Sequence, residues 1–259
     1  MSTLLFNDIV YGPVHSRRLG ISLGVNLLPR DGKLCSFDCI YCECGFNKDF
    51  RSKTPLASRE NVKAAIYDKL ASLHKDGAAI DVITFAGNGE PTLHPAFAGI
   101  IDDTIELRNS YFPEAKISVL SNGMNADKPA VFEALQKIDN AILKLDSAID
   151  ETARLIDRPH TPAYSVAKQV ERYKRFGNRF ILQTLFLRGQ FNGKCIDNTT
   201  GEEVAAWLQV LENLRPREVM IYTIARETPA QNLEKISADE LQKIADKVSA
   251  MGIKTNVAG

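Results

Sequence analysis

Net charge is missing from this chain: 32 lysines and arginines are offset by 32 aspartates and glutamates over 259 residues. No global field draws it toward nucleic acid or an anionic membrane, although a local patch escapes such an average. No run approaches the roughly 20 apolar residues that cross a bilayer, so no membrane partner is expected. The opening stretch MSTLLFNDIVYGP lacks a basic flank and a long apolar core, so no secretory leader is expected and a cytoplasmic location is. Linkers and low-complexity runs are absent as well, and one domain spanning 1–259 is the economical reading. Histidine is scarce, and His94 and His160 stand alone in loops, where a lone imidazole is usually solvated or structural. Cysteine is also scarce, five in all, yet four lie between Cys35 and Cys44. In a reducing compartment that clustering points to metal binding or redox chemistry rather than to a disulfide framework.

Three of these cysteines fall in the segment LCSFDCIYC, spaced C-x3-C-x2-C at Cys35, Cys39 and Cys42, with Tyr41 directly before the last. Four-iron clusters are normally held by four thiolates. A loop with three holds three irons of a [4Fe–4S] cubane and leaves the fourth open to an outside ligand, as catalytic metal sites keep an open position. A zinc site with Cys44 as fourth ligand is the alternative, but structural zinc usually draws two ligand pairs from separate places. Cys44 itself has the default role of a small buried thiol, and Cys195 that of an inert cysteine.

The rest of the chain alternates between two periods. LGISLGVNL, within a strand over 19–28, puts Leu19, Ile21, Leu23, Val25 and Leu27 on one face. Gly20, Ser22, Gly24 and Asn26 lie on the other, which invites close approach by backbone or ligand. A helix capped by Ser58 follows, with Val62, Ile66, Leu70 and Leu73 on one face. The apolar segments DVITFAG, KISVLSNG, NAILKLDSA, RFILQTLFLRG and REVMIYTIAR read as further strands. Helices are expected near 96–109, 128–138 and 165–176, and two capping boxes, Thr200–Glu203 and Ser237–Glu240, open the last two. IKTNVA is a short extra strand. Six strand–helix units ending near 251 predict an α/β fold with a parallel sheet, as a barrel or an open doubly wound sheet.

In parallel barrels chemistry gathers at the carboxyl ends of the strands. Here those ends carry the cysteine loop, Gly87-Asn88-Gly89-Glu90-Pro91, Ser121-Asn122-Gly123, Lys144 with Asp146 and Ser147, Arg188-Gly189, and Arg226. Glu90 reads as a ligand or as a helix N-terminal acid. Lys144 and Asp146, two apart, share one face, expected to line the interior, and form an internal ion pair or serve a cofactor or substrate. Arg17 and Arg18, beside the first strand, are a solvated pair or an anion site.

Together these residues resemble the radical S-adenosylmethionine (SAM) superfamily. The strongest signal is the cysteine loop with Tyr41; Gly87–Glu90 is similar to the superfamily's Gly-Gly-Glu motif with one residue inserted. GPVHSRRLGISLGVNLLP and IYTIAR resemble the wyosine-synthetase-like subgroup of small bacterial members. True wyosine synthetases carry further cysteines for a second cluster, and this chain has none before Cys35. The resemblance implies a partial (β/α)6 TIM-like barrel, a [4Fe–4S] cluster on Cys35, Cys39 and Cys42, and SAM chelating its fourth iron. It implies an external electron donor of the flavodoxin or ferredoxin type and reductive cleavage of SAM to a 5′-deoxyadenosyl radical. That radical takes hydrogen from a substrate that is a small molecule, an RNA or a protein. For SAM itself it implies Glu90 and the Gly87–Asn88–Gly89 turn on the amino group and Ser121 and Asn122 on the carboxylate or ribose. Asp146 or Ser147 is implied on the ribose, Tyr41 against the adenine, and Arg188 on the carboxylate. Two other readings are a glycyl-radical-enzyme activating enzyme and an iron–sulfur or zinc protein of electron transfer or structure. A simple electron carrier has no use for an amino-acid site at Gly87–Glu90.

Overall fold

A run of parallel strands covered by helices on its outer side follows from the alternation of the chain. The computed structural model describes residues 4–49 and 51–259; residues 1–3, part of the stretch read for a leader, lie outside. In chain order the elements begin with β1 (Val10–Ser16), β2 (Gly20–Val25), α1 (Arg59–Lys75), β3 (Val82–Phe85) and α2 (Phe97–Tyr111). They continue with β4 (Lys116–Ser121), α3 (Pro129–Lys137), β5 (Asn140–Lys144), α4 (Asp150–Asp157), α5 (Val166–Lys174) and β6 (Phe180–Phe191). Last come β7 (Lys194–Asp197), α6 (Gly201–Leu214), β8 (Glu218–Thr223), β9 (Leu233–Lys235), α7 (Ala238–Ala250) and β10 (Lys254–Ala258).

The main sheet runs β1-β2-β3-β4-β5-β6-β8-β10. From β2 to β10 every neighbouring pair is parallel, so six βα units and a final strand build a partial TIM-like barrel. β1 lies antiparallel on β2 at one edge. It escaped sequence reading because Gly12 and Pro13 break its pattern; an edge strand with a bulge tolerates both, and the register slips there between Tyr11 and Val14. β7 and β9, both unforeseen, pair antiparallel with the far half of β6. Among the described residues no helix is long and apolar enough to cross a membrane.

Helix starts follow the expected chemistry. Ser58, Ser165, Thr200 and Ser237 each accept a backbone N–H three residues on, satisfying a donor that the first helical turn leaves orphaned. α4 was missed: it has eight residues and no side-chain cap. Between helices and sheet lies the main core, including Leu23, Val25, Ile83, Leu143, Leu182 and Val219. The inward faces are different. Ile142, Ile181 and Met220, joined by Leu19 and Leu120, form a small apolar layer inside the barrel. Leu19 therefore turns inward from the β1–β2 turn instead of sharing the outer face with Leu23. The small-residue face of β2 is approached as expected: Tyr11 lies over Gly24, where a side-chain carbon would overlap its ring.

Candidate functional site

The cysteine loop is seated by backbone hydrogen bonds on three sides. Leu34 N donates to Asn88 O at 2.9 Å and Glu90 N to Leu34 O at 3.1 Å, a parallel bridge between this loop and the turn after β3. Asp38 N donates to Asp157 O and Ile40 N to Ile156 O, at 3.1 and 2.9 Å, on α4; Ala230 N donates to Ile40 O at 3.2 Å. Beneath, Ile40 packs with Ile156, Leu185, Leu187 and Ile196. The insertion in Gly87–Glu90 has a local reason. Gly89 has φ 137°, and a Cβ there would run into the Leu34 carbonyl, so only glycine lets the two loops meet.

Cys35, Cys39 and Cys42 line one wall of a cavity of about 690 Å³ inside the barrel, with Tyr41, Gly87, Gly89, Glu90, Ser121 and Asn122 on the same walls. Lys33 stands behind the thiols, its side chain 1% exposed and its Nζ donating to Gly45 O at 2.6 Å. Burial works against its charge, but Cys42, Cys35, Cys39 and Asp38 outweigh burial and hold the ammonium protonated. Burial pushes the Cys35 thiol up to about 12 against the pull of Lys33, and pushes Cys39 up against Lys144. Cys42 is lowered to about 6, first by the hydrogen bond from Cys44, with Lys33 assisting against burial. Cys44 is raised by that same bond and by burial, and its Sγ donates to Gly87 O at 3.4 Å. Among the described residues no three His, Cys, Asp or Glu converge on a single metal ion. Three soft donors with a buried cation behind them, on a wall open to a cavity, fit an iron–sulfur cluster with one iron left open.

Glu90 is 2% exposed. Its Oε1 accepts from Thr92 N, Thr92 Oγ1 and Ser121 Oγ at 3.1, 2.6 and 2.8 Å; its Oε2 accepts from Asn122 N at 2.7 Å. Burial raises its pKa and these four bonds oppose it. With one protein donor, Oε2 keeps capacity for a further donor from the cavity. Thr92, which sequence reading missed, fixes the carboxylate in this orientation.

The other expected ligands divide. Ser121 bonds Glu90 and accepts from Gly123 N at 3.0 Å. The Asn122 amide donates to Ser36 Oγ at 2.9 Å and to Cys35 Sγ at 3.7 Å, tying β4 to the cysteine loop. Asn88 has no exposure: its amide donates to Phe6 O and Pro29 O at 2.9 and 2.8 Å and its oxygen accepts Phe6 N at 2.8 Å. Asn88 is thus a scaffold residue, contacting the cavity only through its backbone neighbours. Asn88→Ala leaves these backbone groups unpaired and is expected to cost about 2 kcal/mol, read as a drop in the urea midpoint; a loss within error would remove this role.

Asp146 lies off the cavity wall, bonded to Lys144, Tyr41 and Leu185 N. Ser147 is buried away from the cavity, donating to Glu203 Oε2 at 2.7 Å. Arg188 is not in the cavity either: it pairs with Glu240 and Asp197, at 2.7 and 3.6 Å, and donates to Thr199. Residues 181, 183, 185 and 187 of β6 face one way by period two, so Arg188 faces the other. Lys144, 9% exposed, does line the cavity and is paired with both Asp146 and Asp157. Asp157, on the unforeseen α4, also accepts from Cys39 Sγ at 3.8 Å.

A model of the Radical SAM superfamily matches residues 31–195, more than half of the chain. A protein of Helicobacter pylori strain 26695 named UPF0026 protein is 30% identical, the match covering 91% of this chain and 72% of that protein. A Brachyspira hyodysenteriae protein named GTPase Obg is 29% identical, with 90% of this chain covering 32% of that relative; the chain itself has no G-x4-G-K-[S/T] phosphate loop. Streptococcus suis SuiB bound to S-adenosylmethionine shares the fold at TM-score 0.62 and 14% identity, covering 90% of this chain and 50% of that one. TYW1 with a lysine–pyruvate adduct does so at 0.58 and 14%, covering 88% and 73%.

Proposed function

The chain belongs to the radical S-adenosylmethionine superfamily, and from that premise we propose that Cys35, Cys39 and Cys42 hold a [4Fe–4S] cluster whose fourth iron takes SAM from the cavity below. Such a cluster, reduced by a flavodoxin- or ferredoxin-type donor, supplies the electron that splits SAM into methionine and a 5′-deoxyadenosyl radical able to take hydrogen from a substrate. The observation that carries this reading is that the three thiols and the oriented carboxylate of Glu90 face one cavity.

In this reading Glu90 Oε2 accepts from the SAM ammonium, and the Gly87 and Gly89 backbone approaches it without a side chain between. Thr92 and Ser121 act on SAM only by aiming Glu90. Asn122 acts by fixing the cysteine loop against β4, so that thiols and carboxylate keep their spacing. Tyr41, on the cavity wall beside Cys42, borders the adenosine in this reading. Lys33 offsets the negative charge of the thiolates and of what they hold, which favours the reduced form. A buried, oriented carboxylate on the same cavity as the thiols weighs against a simple electron carrier. Similarity to the wyosine-synthetase-like subgroup and a cytoplasmic location stay part of the proposal.

Glu90→Gln removes the charge and keeps the shape. Since hydrogen bonds to charged groups contribute about 1.5–3 kcal/mol, SAM affinity measured by equilibrium dialysis is expected to fall roughly 10- to 100-fold. Iron content should be unchanged. Unchanged SAM affinity would remove Glu90 from the site.

A further inference from the structure

The cavity wall is not made by the cysteine loop and Glu90 alone, and a second part of it has a composition of its own. The apolar layer of Ile142, Ile181 and Met220 closes the barrel interior from below. Two residues further along the same strands, on the same inward faces, stand Lys144, Gln183 and Tyr222, all on the cavity wall. Into this polar layer reaches Arg18 from the turn between β1 and β2. Its Nη1 donates to Gln183 Oε1 at 2.7 Å, and its guanidinium lies 4.4 Å from the centre of the Tyr222 ring. Gln183 in turn donates to Tyr222 Oη at 3.0 Å. The Arg18 backbone is held by Ser16 Oγ and by the Asn256 amide, at 3.3 and 3.4 Å. The side chain is therefore clamped, with neutral partners only.

Every acid nearby is engaged elsewhere. Asp146 and Asp157 pair with Lys144, Glu43 with Arg226, Asp81 accepts from Ile21 N, and Glu90 is held by Thr92, Ser121 and Asn122. Among the described residues no carboxylate pairs with Arg18. A guanidinium carries five N–H donors in a planar fork, and here one of them bonds to Gln183. A half-buried arginine fixed by an amide and an aromatic ring, without a counter-ion, is the arrangement that receives a planar or tetrahedral oxyanion from outside.

We propose that Arg18, clamped by Gln183 and Tyr222, binds an oxyanionic group, a carboxylate or a phosphate, of a small-molecule substrate on the cavity wall that these three residues form. The assignment rests on the functional reading above, which gives the wall of the thiols and Glu90 to SAM and leaves the wall at Arg18 to the substrate. An anion held here shares one cavity with the cofactor, so the fork orients the substrate for hydrogen removal without taking part in it. The pairing also gives Arg18 the counter-charge that the protein itself does not supply.

The test uses the anaerobically reconstituted full chain and calorimetric titrations with succinate, with inorganic phosphate and with SAM. The wild type is expected to bind one of the two anions in the millimolar range, the preferred one telling carboxylate from phosphate. Arg18→Gln should weaken that anion by roughly tenfold or more with SAM affinity unchanged, which also reports that the barrel is intact. Arg18→Lys, which keeps the charge and loses the fork, should fall between. Binding of neither anion by the wild type overturns the proposal, as does equal binding by Arg18→Gln. A loss of SAM affinity in Arg18→Gln overturns it too, because Arg18 would then serve the cofactor. A wild type that takes up the anion through Arg18 but no SAM overturns the functional reading alone.

Discussion

Cys39→Ala is expected to bring bound iron from about four atoms per chain to background and to abolish 5′-deoxyadenosine formation. Two thiols cannot hold a cubane whose fourth corner already depends on an outside molecule. Cys39 is the middle ligand and its removal leaves the loop's own seating intact, because that seating is made by Asp38, Ile40 and their backbone partners on α4 and Ala230. The variant should therefore stay folded, with circular dichroism and urea midpoint near those of the wild-type protein. The same loss from Cys44→Ala is not expected, since the buried Cys44 thiol donates to Gly87 O and lies off the cavity wall that Cys35, Cys39 and Cys42 share. If Cys39→Ala retains iron and activity while Cys44→Ala loses them, the ligand set is wrong.

Lys144→Met is expected to destabilise the fold by about 3–5 kcal/mol, the usual result of stripping one partner from a buried ion pair. The ammonium stands between the carboxylates of Asp146 and Asp157, each 1% exposed, beside Cys39. Burial works against its charge, and Asp157 foremost, then Cys39, more than restores it, so its pKa is raised. Methionine fills the volume but leaves two uncompensated acids in the barrel wall. Adding Asp157→Asn to Lys144→Met should recover part of the loss, because one of those acids is then neutral. Urea unfolding of the three proteins checks this. A single variant within 1 kcal/mol of wild type would mean that water or another cation balances the acids.

The elements that carry strong local codes were legible from residues alone. Mostly apolar segments placed the parallel strands, and serine and threonine caps placed the starts of α1, α6 and α7. What escaped has a physical pattern. β1 hides behind Gly12 and Pro13, and α4 is too short to show a period. Asp157, which α4 delivers to Lys144 and Cys39, was invisible with it. Among the site residues, Cys35, Cys39, Cys42, Gly87, Gly89 and Glu90 meet on one cavity because backbone bridges lock their loops together. Ser121, Asn122, Asn88 and Ser147 were expected to touch the cofactor, yet their side chains bond first to protein groups. Polar residues gathered at strand ends satisfy one another before any of them is free for a ligand. Strand parity separates Arg188 from Gln183 on β6, and the same count along the chain would have placed it outside. Arg18 was noticed beside Arg17, but only the folded hairpin shows that it reaches across to β6 and β8 while Arg17 meets Gly259 O.

The account turns on an open iron that SAM occupies, and low-temperature electron paramagnetic resonance of the anaerobically reconstituted, dithionite-reduced protein reads that directly. A signal of a reduced [4Fe–4S] cluster is predicted whose g-values shift on addition of SAM, with the shift diminished at the same SAM concentration in Glu90→Gln. A reduced-cluster signal identical with and without saturating SAM, or a protein that takes up only zinc under these conditions, would contradict it.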